Sequence, residues 1–134
     1  MKAGLVSLLG AESTVSSLVG GRIFSGSVPE SAALPNILIM QESVDELTTL
    51  EHQTGGLRIV DFSVECRAGR SVSSDAIANA CRVFLGSYTG SAGGQTIDAV
   101  NLQGTSSDFI PPEDSSDVGL YTDTVTFSLA YTPA

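Results

Sequence analysis

The last strand of the chain constrains the fold more than any other segment. Tyr121, Val125, Phe127, Leu129 and Tyr131 alternate there with Thr122, Thr124, Thr126 and Ser128. Successive side chains of a strand point to opposite faces, so this period of two specifies a strand with one buried face. Its threonine face should be solvated or pair with a neighbouring strand. A second stretch repeats the pattern, with Val60, Phe62, Val64, Cys66 and Ala68 on one side and Asp61, Ser63, Glu65 and Arg67 on the other. Two half-apolar strands need a shared sheet and something to cover it.

The cover is legible too. Ile77, Ala80, Cys81, Phe84 and Tyr88 recur at three- and four-residue spacing, while Asp75, Asn79 and Arg82 fall outward. This predicts an amphipathic helix over 74–88 lying on the sheet, with Ser71–Ser74 as N-cap hydroxyls and Gly86 and Gly90 at its end. Leu5, Val6, Leu8 and Leu9, then Val15, Leu18 and Val19, give an N-terminal helix that Gly10 could split and that Gly20 and Gly21 stop.

Between these elements, Ile23 and Phe24 form a brief extended step, and 25–34 reads as a loop. Pro35 opens a strand over 36–42, whose run Ile37 to Met40 must be covered on both faces or paired centrally. The polar, acidic stretch 43–56 ends in Thr54, Gly55 and Gly56 and reads as a hairpin arm. The apolar step at Ile59–Val60 predicts a β-bulge, and the alternation shifts again at Ala99–Val100 within a short strand 97–103. Small residues at 91–94 and the Ser-, Asp- and Pro-rich stretch 105–119 read as loops. No repeat or linker divides the chain. The expectation is one α+β domain over 1–134: a single mixed or mostly antiparallel sheet, with an N-terminal helix and one main amphipathic helix packed on one face.

Composition narrows the function classes. Fifteen acidic residues against six basic ones leave a net charge of −9 over 134 residues. Lys2 is the lone lysine, and Arg22, Arg58, Arg67, Arg70 and Arg82 are scattered. A nucleic-acid clamp needs clustered cations, which this pattern lacks. The acidity reads either as solubility and mild self-repulsion or as a surface that nucleic acid slides past. The longest apolar run is too short for a bilayer span, so no membrane partner is expected. Residues 1–10 are too short and interrupted for a signal peptide, which predicts a cytosolic start. Cys66 and Cys81 take apolar-face positions and read as core thiols.

The sequence offers little chemistry. His52, the one histidine, lies in the polar arm, where nothing would orient it as a base. One histidine and two distant cysteines give no zinc spacing. The glycines at 90–94 lack the Lys-Ser/Thr continuation of a phosphate loop. Asp61 and Glu65 share a strand face but stand about 13 Å apart, too far for a glycosidase pair. Asp108, Glu113, Asp114 and Asp117 lack the spacing of a calcium loop. No enzyme, cofactor or metal is therefore expected. Open sheet edges and an acidic arm instead suit assembly. The candidate contact residues are Glu42, Asp45, Glu46 and His52 on the arm, Asp61, Glu65 and Arg67 on the strand face, and Asp108, Glu113 and Asp114 in the late loop.

An ordered set of short features carries a resemblance. An apolar N-terminal helix precedes Gly-Gly-Arg-Ile-Phe at 20–24, then Pro29, Ala32 and Ala33 come ahead of Leu-Pro-Asn-Ile at 34–37. Phe-Ser-Val-Glu-Cys at 62–66, the helix at 74–88 and the terminal strand at 121–131 complete it. The chain resembles the tail-terminator, or tail-completion, proteins of long-tailed bacteriophages and prophages, which join heads to tails. That resemblance implies a six-membered ring of copies that caps the tail tube, ends tube growth and docks onto the head-completion protein; a tail-tube or head-completion subunit of the same virion is the alternative reading, and a small bacterial ligand-binding module or enzyme the more distant one. It also implies a place in the virion, assembly in the bacterial cytoplasm, and DNA passing through the lumen without specific binding.

Overall fold

The computed structural model describes residues 2–28, 33–46, 58–86, 88–92, 95–111 and 119–132. Their order is α1 (Lys2–Ala11), α2 (Ser13–Val19), β1 (Ile23–Ser25), β2 (Asn36–Glu46), β3 (Arg58–Ala68), α3 (Ser71–Leu85), β4 (Gly90–Ala92), β5 (Gln95–Ile110) and β6 (Leu120–Thr132). One six-stranded sheet, in the order β1-β2-β3-β6-β5-β4, carries all three helices. Only β1–β2 is parallel; every other pairing is antiparallel. The α+β expectation of a mixed, mostly antiparallel sheet holds.

The two alternating strands are central neighbours. Val60, Phe62, Val64, Cys66 and Ala68 of β3 and Val125, Phe127 and Leu129 of β6 are wholly buried. Phe62 lies opposite Phe127, and their rings stack with centroids 5.4 Å apart. Above them sit Ile77, Ala78, Cys81 and Leu85 of α3, with Leu5, Leu9, Val15 and Val19 of α1 and α2. Helix α1 touches β1 and β2 at one margin of the sheet and β4 at the other, so the sheet curls around it.

Local chemistry explains the helix ends. The N-terminal helix breaks at Glu12 rather than Gly10, which stays helical. Glu12 is extended (φ −79°, ψ 114°), and its carboxylate accepts the Thr14 N–H at 3.4 Å, placing negative charge at the positive end of α2. Gly20 then ends α2 in the left-handed region (φ 61°), where an added Cβ would sit 2.7 Å from Arg22 Nη1. The Arg22 Nε donates to the Pro35 carbonyl at 2.9 Å, tying this exit to the start of β2.

Several sequence expectations need correction. Residues 43–46 are not part of a projecting arm but continue β2, because β3 offers them a ladder as far as Glu46↔Arg58. Residues 47–57 lie outside the described set. The bulge expected at Ile59–Val60 falls across the ladder instead, between Gln41 and Ser43, and β3 itself runs unbroken against β6. The expected shift near Ala99 is present, between Ile97 and Ala99, with a second between Leu102 and Gly104. The short strand 97–103 is in fact β5, which runs on through residues read as loop. Pairing with β6 from Gly104↔Thr126 to Ile110↔Leu120 holds them extended, so tertiary context overrides their weak strand propensity.

Helix α3 begins after Arg70, which makes no side-chain cap, so the serines at 71–74 lie within the helix. Gly86 ends that helix, whereas Gly90 opens β4. Residues 90–92 are strand rather than loop.

Candidate assembly surface

The face of the sheet away from the helices gathers the polar positions of four strands. Register places Asn36, Arg67, Thr122 and Asp108 in one row, Leu38, Glu65, Thr124 and Ser106 in the next, and Met40, Ser63, Thr126 and Gly104 beyond. Asp61, Glu65 and Arg67 therefore share one face of β3, as expected. That face is less wet than its composition suggests. Ser63 is 4% exposed, a short side chain between Met40 and Thr126, and Leu38 is 7% exposed between Phe24 and Glu65.

Charge on this face is loosely tied. Arg67 Nη1 stands 3.4 Å from Glu65 Oε1, with both side chains about a fifth exposed (24% and 18%). Gln103 Nε2 reaches Asp61 Oδ1 at 3.5 Å. Asn36 Oδ1 and Arg67 Nε, on directly paired positions, are buried without a hydrogen-bond partner among the described residues. Asp108 is exposed on β5, and its carboxylate accepts the Phe109 N–H at 2.8 Å. Two intervening strand spacings separate it from Arg67 by about 10 Å, so the two do not pair.

The other sequence candidates divide by location. Glu42, Asp45 and Glu46 fall on β2, Glu42 at the register shift and Asp45 and Glu46 opposite Ile59 and Arg58. His52, Glu113 and Asp114 lie outside the described residues. The register thus puts Asp61, Glu65 and Arg67 on one face of β3, with the Asp45 position, opposite Ile59, in phase with them on β2 and Asp108 at the far side of the same face.

Among the described residues, both margins of the sheet are largely open. β1 covers only Ile37–Ile39 of β2, and β4 covers only positions 95–97 of β5. Among the described residues, no strand lies outside 40–46 of β2 or 98–110 of β5. Every side chain from 101 to 110 is exposed, including Leu102, Phe109 and Ile110 at 44–50%. An edge of this kind is a template for another strand.

One polar residue was missed by pattern. Asp123 occupies an apolar-phase position of β6, between Tyr121 and Val125, and is 5% exposed. Its carboxylate accepts from Ser74 Oγ at 3.0 Å and from Ser107 Oγ. The signal was an acidic residue on the wrong phase of an otherwise clean alternation. Asp123 lies opposite Cys66 in the ladder. Hydrogen bonding with the Cys81 thiol first, then burial and nearby negative charge, pushes the Cys66 thiol far up, so it stays protonated. Both cysteines are free and buried, the core thiols that the sequence suggests.

Two open clefts stand out among the described residues. One, of about 750 Å³, runs between α2 and α3 past Leu18, Ala80, Val83, Phe84 and Tyr88. The other, of about 340 Å³, lies where α3 starts over the ends of β5 and β6, lined by Ser71, Asp75, Asp108 and Asp123 among others. Asp61 lines neither. Among the described residues, no three His, Cys, Asp or Glu side chains come together as a metal site, and no helix is long and apolar enough to cross a membrane.

Neither a protein-family model nor a curated protein matches this chain. The fold is similar to that of a chain in a solved structure described as the virion of a native gene transfer agent particle. The TM-score is 0.71 over 98% of this chain and 94% of that one, at 16% identity. At that identity the likeness is one of fold.

Proposed function

We propose that this protein is a structural subunit of a phage-type virion and, within it, a tail terminator. Six copies would form a ring that caps the tail tube, stops its growth and joins it to the head-completion protein. The carrying observation is the fold likeness to a chain of a virion particle over nearly the full length of both chains. The ordered features from Gly20 to Tyr131 support the narrower role, as do the two open sheet margins. The net charge of −9 suits a lumen through which DNA passes, because a basic lumen would hold the phosphates by counterion release and oppose transit.

We read the protein as having no catalytic role. The larger cleft is lined largely by apolar side chains, the Ser74 and Ser107 hydroxyls of the smaller one are tied to the Asp123 carboxylate, and the Cys66 thiol is held protonated. The test is to inactivate the gene in the genome that carries it and image the particles. Free heads beside overlong tails support a terminator. Missing tails would make this chain a tube subunit instead, and normal infectious particles would end the structural reading.

A further inference from the structure

We propose that the outer edge of β5 receives the outer edge of β2 from a second copy of this chain, extending the sheet antiparallel from subunit to subunit. This pairing rests on the assembly reading above and names the contact.

Among the described residues, the open segment of β2 sits at one end of the sheet, whereas that of β5 runs from the same level to the other end. β1 covers β2 at the level of Val64–Cys66 of β3, and no other described strand covers 40–46. β4 covers β5 near the level of Arg58–Val60, which leaves β5 bare from 98 to 110. Strand directions alternate across β2, β3, β6 and β5, so β2 and β5 run in opposite senses. Copies related by rotation about a ring axis keep those senses, so a β5–β2 contact is antiparallel. Pairing 40–46, at the level of Arg58–Ser63, with 104–107, at the level of Ser63–Cys66, also staggers each sheet against the next, and closing strands into a ring requires such a stagger.

Charge selects the partner edge. The open β2 segment carries Glu42, Asp45 and Glu46, so two β2 edges would set like charges against each other. Residues 99–107 of β5 carry no charge at all, between Asp98 and Asp108. That stretch, about 30 Å long, is ample for the roughly 23 Å of 40–46. The backbone is also presented. The Phe109 N–H donates to Asp108 Oδ1, which turns it to the outer side; alternation then puts the Ser107 and Thr105 amides on that side too. Asp108 caps the end of the run, and the amides before it stay available. The bulge between Leu102 and Gly104 divides the run, so the contact centres on 104–107.

The experiment measures assembly of the full chain by mass photometry across concentration. Thr105→Pro removes one outward donor at an edge, where proline is tolerated. It is expected to raise the half-assembly concentration at least about fivefold while circular dichroism stays native. Val83→Lys, on the exposed helix layer, should leave assembly unchanged. In a second arm, Val44→Cys combined with Thr105→Cys should give a ladder of oxidised oligomers, Cys66 and Cys81 being too buried to compete.

Assembly of Thr105→Pro at the wild-type concentration would overturn the pairing. So would dimers cross-linked by Thr105→Cys alone, which would mean β5 against β5, or a double variant that never cross-links. None of these outcomes bears on the virion role, which the particle images decide separately.

Discussion

Ser74 Oγ lies 3.0 Å from Asp123 Oδ2, joining the first turns of α3 to β6 inside the protein. Ser107 of β5 reaches the other carboxylate oxygen, so one aspartate fastens a helix and two strands. A buried carboxylate held by two hydroxyls is satisfied only while both are present.

Removing one partner should therefore be felt. Ser74→Ala is expected to cost about 1–2 kcal/mol, and Asp123→Ala about 1–3 kcal/mol, since it removes the bond that ties α3 to β5 and β6 and leaves Ser74 only the Ser71 carbonyl. The double variant should lose less than the sum of the singles, as expected for groups in one network. Urea denaturation of the four proteins checks this, and strict additivity would show that the contact contributes nothing.

The stacked pair Phe62 and Phe127 sets the scale for the core. Phe62→Ala should destabilise by about 3–5 kcal/mol, enough to unfold a marginal domain at modest temperature. Val72→Ala, at a position 72% exposed, should stay within about 0.5 kcal/mol of wild type. Differential scanning calorimetry of both separates core packing from surface content.

Gly119 is required for space. A Cβ there would sit 2.3 Å from the Phe109 ring, which stacks on Tyr121 at 4.5 Å. Gly119→Ala should displace that ring, seen as a change in near-ultraviolet dichroism from Tyr121, at a cost of about 1–2 kcal/mol. An unchanged aromatic signal would mean that the ring does not rest on the glycine.

Cys66 predicts a loss of stability in alkali. Its folded pKa lies above the ordinary thiol value of 9.0. Below that value the thiol is protonated in both states and its contribution is complete. Above it the unfolded chain gives up the proton while the folded chain keeps it, so stability falls by about 1.4 kcal/mol per pH unit. Denaturation midpoints between pH 8 and 10.5 should show this slope in wild type and a shallower one in Cys66→Ala. Equal slopes would remove the thiol as the cause. Neither cysteine should react with iodoacetamide until the protein unfolds.

The sequence determined the sheet and its cover. The phase of Val60–Ala68 and of Tyr121–Tyr131 selected the buried faces of β3 and β6, because a strand's side-chain period is fixed by its backbone. The helical spacing from Ile77 to Cys81 likewise selected the face of α3 that meets them, and Gly20 marked the end of α2. Asp61, Glu65 and Arg67 shared a face for the same local reason. Only the tertiary structure decided that β3 and β6 are neighbours, that 104–110 is strand, and that Asp123 turns inward to two serines. Pairing partners distant in sequence leave no local periodicity, and a polar stretch such as Gly104–Asp108 becomes a strand only when another strand supplies its hydrogen bonds. The two margins left open among the described residues follow from how little of β2 and β5 the short edge strands cover, which no residue of either strand announces by itself.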